Sequence, residues 1–193
     1  MKTKFILHGG FTSAPNELNK SFYKESTKGL SDGATILLVY FARKEGEVHE
    51  LFEEDKGRIL KYTDTKKLHI VLADEENFMS QVQSAHAIYM RGGDTDKLLN
   101  ALKKYADFSK MLEGKIVSGS SAGAYVLSVY YHSAVNGEIH KGLGILPIRV
   151  ICHYQSTILK SPDDPIALME EYPKELELVV LKDYEWKSFE KFD

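Results

Sequence analysis

Apolar positions along the chain fall into two rhythms. Short continuous runs recur at Phe5-Ile6-Leu7, from Thr35 to Tyr40, from Leu68 to Leu72, from Ala87 to Met90, at Ile116-Val117-Ser118 and from Val150 to His153. Such runs, without polar alternation, are the pattern of strands buried on both faces. Helical periodicity lies between them. Residues 46–62 carry Val48, Leu51, Phe52, Ile59 and Leu60 with an acidic outer face. Residues 96–112 place Leu98, Leu99, Leu102, Tyr105, Phe108 and Leu112 on one side. The signal is weak over 16–29 and short over 77–84. Further apolar runs occupy 143–147 and 176–181. A polar tail with Tyr184, Trp186 and Phe189 follows, suited to covering a sheet edge or to a homodimer contact. Strands alternating with helices predict a mostly parallel central sheet between two helical layers, a three-layer α/β/α arrangement in a single domain over residues 1–193.

In open parallel sheets, ligands bind beyond the carboxyl ends of the strands. Four features follow strands here: Gly9-Gly10, Gly92-Gly93, Ser121 and His153. The clearest is Gly119-Ser120-Ser121-Ala122-Gly123, which fits Gly-x-Ser-x-Gly between an apolar strand and the periodic segment Ala124, Val126, Leu127, Val129. Strand, sharp turn and helix make a nucleophile elbow, with Ser121 at the apex. A glycine-rich turn that binds phosphate or only packs tightly would share the pattern.

A serine hydroxyl needs a base, a group to orient that base, and N–H donors for the oxyanion. Of the seven histidines, His153 stands at a strand end and is the expected base. His49 and His86 fit surface positions, and His69 fits a packed core position. His132 and His140 flank a loop, and His8 ends the first strand, either near the site or in a structural turn. Glu138 is the only carboxylate between Ser121 and His153, which makes it the expected orienting acid. Asn136 could hold the imidazole as a neutral amide, and Asn136-Gly137 also reads as a plain turn. Asp163 and Asp164 follow the histidine in a Pro-Asp-Asp-Pro turn. The expected oxyanion donors are the N–H of Ala122 and one from the Gly92-Gly93 loop, after which Asp94 or Thr95 caps the next helix.

Met90-Arg91-Gly92-Gly93-Asp94-Thr95-Asp96-Lys97-Leu98-Leu99, the elbow, and Gly142-Leu143-Gly144-Ile145-Leu146-Pro147 followed by Cys152-His153-Tyr154 together resemble the serine peptidase family of dipeptidase E and cyanophycinase. The resemblance runs from the first strand to about His153. It implies a class I glutamine amidotransferase-like, flavodoxin-like fold, with serine in place of cysteine. It matches Ser121 to the nucleophile, His153 to the base, and Gly93 and Ala122 to the oxyanion donors. Asn136 stands where dipeptidase E carries an aspartate, and Asp94 replaces the asparagine of the Gly-Gly-Asn-Thr form. The implied activity is hydrolysis of short peptides, with an amino-terminal aspartate as one substrate type, through an acyl-enzyme and without cofactor or metal. An acidic substrate calls for a cation, for which Arg91 and Arg149 are the candidates. Asp94, Arg91 and Asn136 are the expected substrate contacts. A small α/β-hydrolase esterase, or a non-catalytic relative binding a small molecule or partner, are the competing readings.

Composition narrows the partners. A net charge of -3 offers no basic field for nucleic acid. A single cysteine, Cys152, leaves no internal disulfide and fits a reducing, cytoplasmic setting. No apolar stretch approaches the length of a membrane span.

Overall fold

The computed structural model describes residues 2–161 and 163–192. Among the described residues, ten strands and six α-helices follow in chain order. They are β1 (Lys2–His8), α1 (Glu17–Glu25), β2 (Ala34–Val39), α2 (Glu45–Tyr62), β3 (Leu68–Leu72), α3 (Phe78–Ser84), β4 (Ala87–Met90) and α4 (Thr95–Lys103), then β5 (Ile116–Ser120), α5 (Ala122–Leu127), β6 (Tyr130–His132), β7 (Ile139–Lys141), β8 (Ile148–Ile151), α6 (Pro165–Glu170), β9 (Glu177–Val180) and β10 (Trp186–Phe192).

Six strands form the main sheet in the order β10-β1-β5-β4-β2-β3. All neighbours are parallel except β10, which runs antiparallel to β1. The continuous apolar runs are explained by burial on both faces. In β1 and β2, Phe5, Leu7, Leu37 and Val39 face one core with α3, α4 and α5, while Ile6, Ile36 and Leu38 face another with Phe22 of α1 and Phe52 and Ile59 of α2. This is the predicted α/β architecture with a mostly parallel sheet.

Several local expectations change. The run Val150 to His153 is not part of the main sheet. β8 belongs to a second sheet, β7-β6-β8-β9, in which β7 and β6 are antiparallel and the rest parallel. The helix expected over 96–112 stops at Lys103, and a 3-10 turn over Lys110–Leu112 completes the segment. Phe108 and Leu112 are nevertheless buried, so the apolar spacing reflected packing rather than one continuous helix. His69 is exposed rather than core, because β3 is the open edge of the main sheet. The aromatic tail is β10, which closes the other edge against β1.

Candidate active site

Ser121 follows the last residue of β5 and precedes α5, with φ 49° and ψ -105°. This is the sharp turn that the elbow pattern requires. Gly123 is needed there because a Cβ would lie 2.2 Å from the carbonyl oxygen of Met90. The Ser121 hydroxyl lies 3.1 Å from His153 Nε2, and His153 Nδ1 lies 2.7 Å from Asp183 Oδ1. His153 and Asp183 are both largely buried. Burial pushes the imidazole below its ordinary range, and the hydrogen bond and charge of Asp183 oppose that fall. The net effect favours the neutral imidazole. Asp183 accepts at Nδ1, which leaves Nε2 free to take the serine proton.

Three segments from two sheets meet here, and the end of β1 sets their register. Its consecutive carbonyls accept from each: His8 from the Ser121 N–H at 2.9 Å, Gly9 from His153 at 3.1 Å, and Gly10 from Tyr184 at 3.2 Å. Five non-glycine residues among those described have positive φ: Phe11, Ser121, His153, Gln155 and Tyr184. All five lie in the segments that build this site. Such backbone costs of order 1–3 kcal/mol per residue and persists only where surroundings enforce it.

Ser121 and His153 line a cleft of about 420 Å³ with Gly92, Gly93, Phe11 and Arg43. Ala122 is the first residue of α5, where an N–H has no partner within its own helix. The structure thus brings together Ser121, His153, Gly93 and Ala122.

Glu138 is not with them. It sits in the turn between β6 and β7, exposed to solvent, where its backbone N–H donates to Asn136 Oδ1 and its carboxylate accepts from Asn136 Nδ2 at 3.1 Å. Asn136 also contacts His140 at 3.2 Å. The turn is closed on itself by Ser133 N–H to Glu138 O and Gly137 N–H to Ser133 O. Neither Glu138 nor Asn136 reaches His153, and Asp183 holds the place expected of Glu138. Asp183 lies just beyond β9, two residues after Leu181, where the apolar run ends. The strand-end rule applies to it as it does to His153, but a search for the acid before His153 or in the turn at 163–164 passes over it.

Asp94 is exposed and caps α4, accepting from the Lys97 N–H at 3.0 Å, and it does not line the cleft. Arg91 does line it, but its guanidinium is bound to the fully buried Asp55 and to Ser13 Oγ at 2.6 Å. Asp55 also accepts from Tyr23 and Tyr40, each at 3.0 Å, and from Arg58 at 2.9 Å. Arg149 is buried outside the cleft, donating to the carbonyls of Leu176, Tyr172 and Met169. Among the described residues, the remaining arginine lining the cleft is Arg43, which lies 3.9 Å from the Glu47 carboxylate. Its Nε is buried without a hydrogen-bond partner, and burial followed by the neighbouring Arg91 pushes its pKa down.

The chain has the fold of solved peptidases. A peptidase from an acI-B1 Actinobacterium superposes with a TM-score of 0.69 at 20% identity, covering 97% of this chain and 83% of that one. A candidate peptidase E protein from Listeria monocytogenes EGD-e gives 0.65 at 19%, covering 99% and 98%. No curated protein matches the chain. The class defined is a serine peptidase, a hydrolase. More particularly, the chain belongs to peptidase family S51, whose model matches residues 5–191. No helix among the described residues is long and apolar enough to cross a membrane.

Proposed function

We propose that the protein hydrolyses short peptides through an acyl-enzyme on Ser121, with His153 as base and Asp183 as the orienting acid. The observation that carries this is the continuous relay from Ser121 Oγ to His153 Nε2 at 3.1 Å and from His153 Nδ1 to Asp183 at 2.7 Å. Ser121 Oγ attacks the scissile carbonyl while its proton passes to Nε2. The negative oxygen that forms is met by the N–H groups of Gly93 and Ala122. Collapse breaks the C–N bond, and the proton on Nε2 goes to the leaving amine. Water then repeats the sequence on the ester, giving its proton to Nε2, and Ser121 is restored as the acid departs. Asp183 stabilises the imidazolium in both halves and keeps its own charge.

The cleft is small for a site of this kind. At about 420 Å³ it lies low in the range of about 300–1,000 Å³ for small-ligand sites, which suits a short peptide rather than a folded chain. Arg43 is the group to read a substrate carboxylate. Its charge is partly desolvated and weakly paired, so an incoming carboxylate supplies a partner that Glu47 at 3.9 Å does not. An amino-terminal aspartyl peptide presents such a group. Arg91, already matched to Asp55, shapes the wall instead.

The test is labelling by a fluorophosphonate serine probe, followed by a dipeptide panel. The wild type and Ser120→Ala should label, and Ser121→Ala should not. Labelling of Ser121→Ala at the wild-type rate would remove Ser121 as nucleophile. Turnover of short-chain esters without any dipeptide cleavage would make the protein an esterase.

A further inference from the structure

Beneath the site lies a buried histidine that the relay does not use. His8 ends β1 and is fully buried. Its Nδ1 accepts from the Gly10 N–H at 3.0 Å, so the ring proton sits on Nε2, which donates to Asn19 Oδ1 at 2.9 Å. Asn19, also buried, spends its amide protons on the carbonyls of Phe11 at 2.9 Å and Ala14 at 2.7 Å. Burial holds the His8 pKa down to about 4, against a smaller upward pull from Asn19, so the bare Nδ1 is maintained at neutral pH. Phe22 packs against the ring at 4.6 Å, and the charged or titratable groups felt there are His153 and Asp183.

What these bonds fix is the loop from Gly10 to Ala14, which forms one wall of the cleft. Gly10 has φ +123°, and a Cβ on it would stand 1.9 Å from His153 Cε1, so its backbone packs against the Cε1 corner of the imidazole. Phe11, at φ 59°, sets its ring edge-on to His153 at 4.9 Å. Gly10 also accepts from the Tyr184 N–H, the residue after Asp183. The loop therefore touches the His153 ring at Cε1 and the segment carrying Asp183 at one carbonyl. Phe11, a left-handed residue that is not glycine, needs outside support, and Asn19, itself bonded to His8, provides it at the Phe11 carbonyl.

We propose that His8 is a positioning residue: through Nδ1 and Asn19 it holds the Gly10–Ala14 loop against His153, and so fixes the imidazole between Ser121 and Asp183. This rests on the catalytic reading of Ser121 and His153. The bond from Nδ1 to the N–H two residues on has the connectivity of an Asx turn, so an asparagine can replace it with Oδ1. His8→Leu keeps the branch at Cγ but puts methyl groups where the acceptor stood. A glutamine amide would reach past the Gly10 N–H to Asn19, where its N–H can donate to Oδ1 as His8 Nε2 does, leaving the Gly10 N–H without its acceptor.

The experiment measures the acylation rate of Ser121 by a fluorophosphonate, together with the low-field proton resonance of the His153–Asp183 hydrogen bond, on variants shown to be folded by thermal melting. His8→Leu should lose about 10- to 100-fold in rate, the scale of a misplacement near 1 Å, and its low-field resonance should broaden. His8→Asn should recover most of the rate and the resonance while remaining less stable than the wild type. Wild-type rates in His8→Leu, or no recovery in His8→Asn, would overturn the proposal and leave the relay standing. If His8→Leu does not fold, His8→Asn should still outpace His8→Gln, and equal or reversed rates would overturn it. A wild-type protein that never labels overturns both this inference and the catalytic reading.

Discussion

Replacing Asp183 by asparagine changes one atom type at the back of the site. In the native arrangement the carboxylate accepts from His153 Nδ1 at 2.7 Å, a charge-assisted bond in a setting where His153 is only 7% exposed. An asparagine in the same rotamer can turn its amide toward the ring and donate to Nδ1. The ring proton would then move to Nε2, against Ser121 Oγ, and the base would face the nucleophile already protonated. Loss of the charge also removes the stabilisation of the imidazolium. In serine protease triads this change costs about 10⁴-fold in turnover, or about 5.5 kcal/mol of barrier. Water has little room to substitute at so buried a nitrogen, so a loss of that order is expected for Asp183→Asn. Asp183 is also what opposes the fall of the His153 pKa caused by burial. The acid limb of the residual activity should therefore move to lower pH. The assay is the fluorophosphonate acylation rate against pH, then turnover on a dipeptide found by profiling, with thermal melting as the folding control. Glu138→Gln is the matched comparison and should behave as wild type. Near-full activity in Asp183→Asn, or a large loss in Glu138→Gln, would refute the assignment.

Gly10→Ala should abolish labelling and cost about 1–3 kcal/mol in a melting experiment, since its Cβ would meet His153 Cε1 at 1.9 Å and Nε2 at 2.5 Å. Stability should fall on acidification. His8 is held near 4 when folded against 6.5 when free, so the unfolded chain binds more protons between those values. Stability from this group is complete above about 6.5 and is lost as pH drops toward 4, by about 3 kcal/mol. Urea unfolding at several pH values reads the slope, and His8→Asn should flatten it. Arg43→Met should cut kcat/KM about 10- to 100-fold for peptides carrying the matching carboxylate, the value of a hydrogen bond to a charged group, and spare neutral ones. Equal losses on both would remove Arg43 from substrate selection.

Much of this was legible in the chain because it depends on local grammar. Apolar runs located the five parallel strands of the main sheet, and the strand-end rule brought Ser121, Gly93 and His153 toward one place. The elbow needs only five consecutive residues to be recognised. The carboxylate beside His153 was not legible, because nothing local ties residue 183 to residue 153. They meet only because β8 and β9 pair and the following loop returns to β1. Elimination by chain order favoured Glu138, yet a turn closed by its own hydrogen bonds keeps that side chain among its neighbours. That the Arg91 guanidinium is already paired was hidden for a similar reason, since its partner Asp55 lies 36 positions away, in helix α2. The second sheet was missed because β6 and β7 are three residues each and too short to show a period.

The turn between β6 and β7 carries a consequence for how such a protein can diversify. His153 Nδ1 meets Asp183, so residues 133–138 hold no part of the chain of contacts from Ser121 to Asp183. They nevertheless stand at the entrance to the cleft, where Ser133, Ala134 and Val135 form part of its lining and Val135 is 87% exposed. A segment that touches the entrance but not the chemistry can be lengthened, shortened or recharged without disarming the nucleophile. It is the natural graft point for changing which peptides enter, in evolution or at the bench.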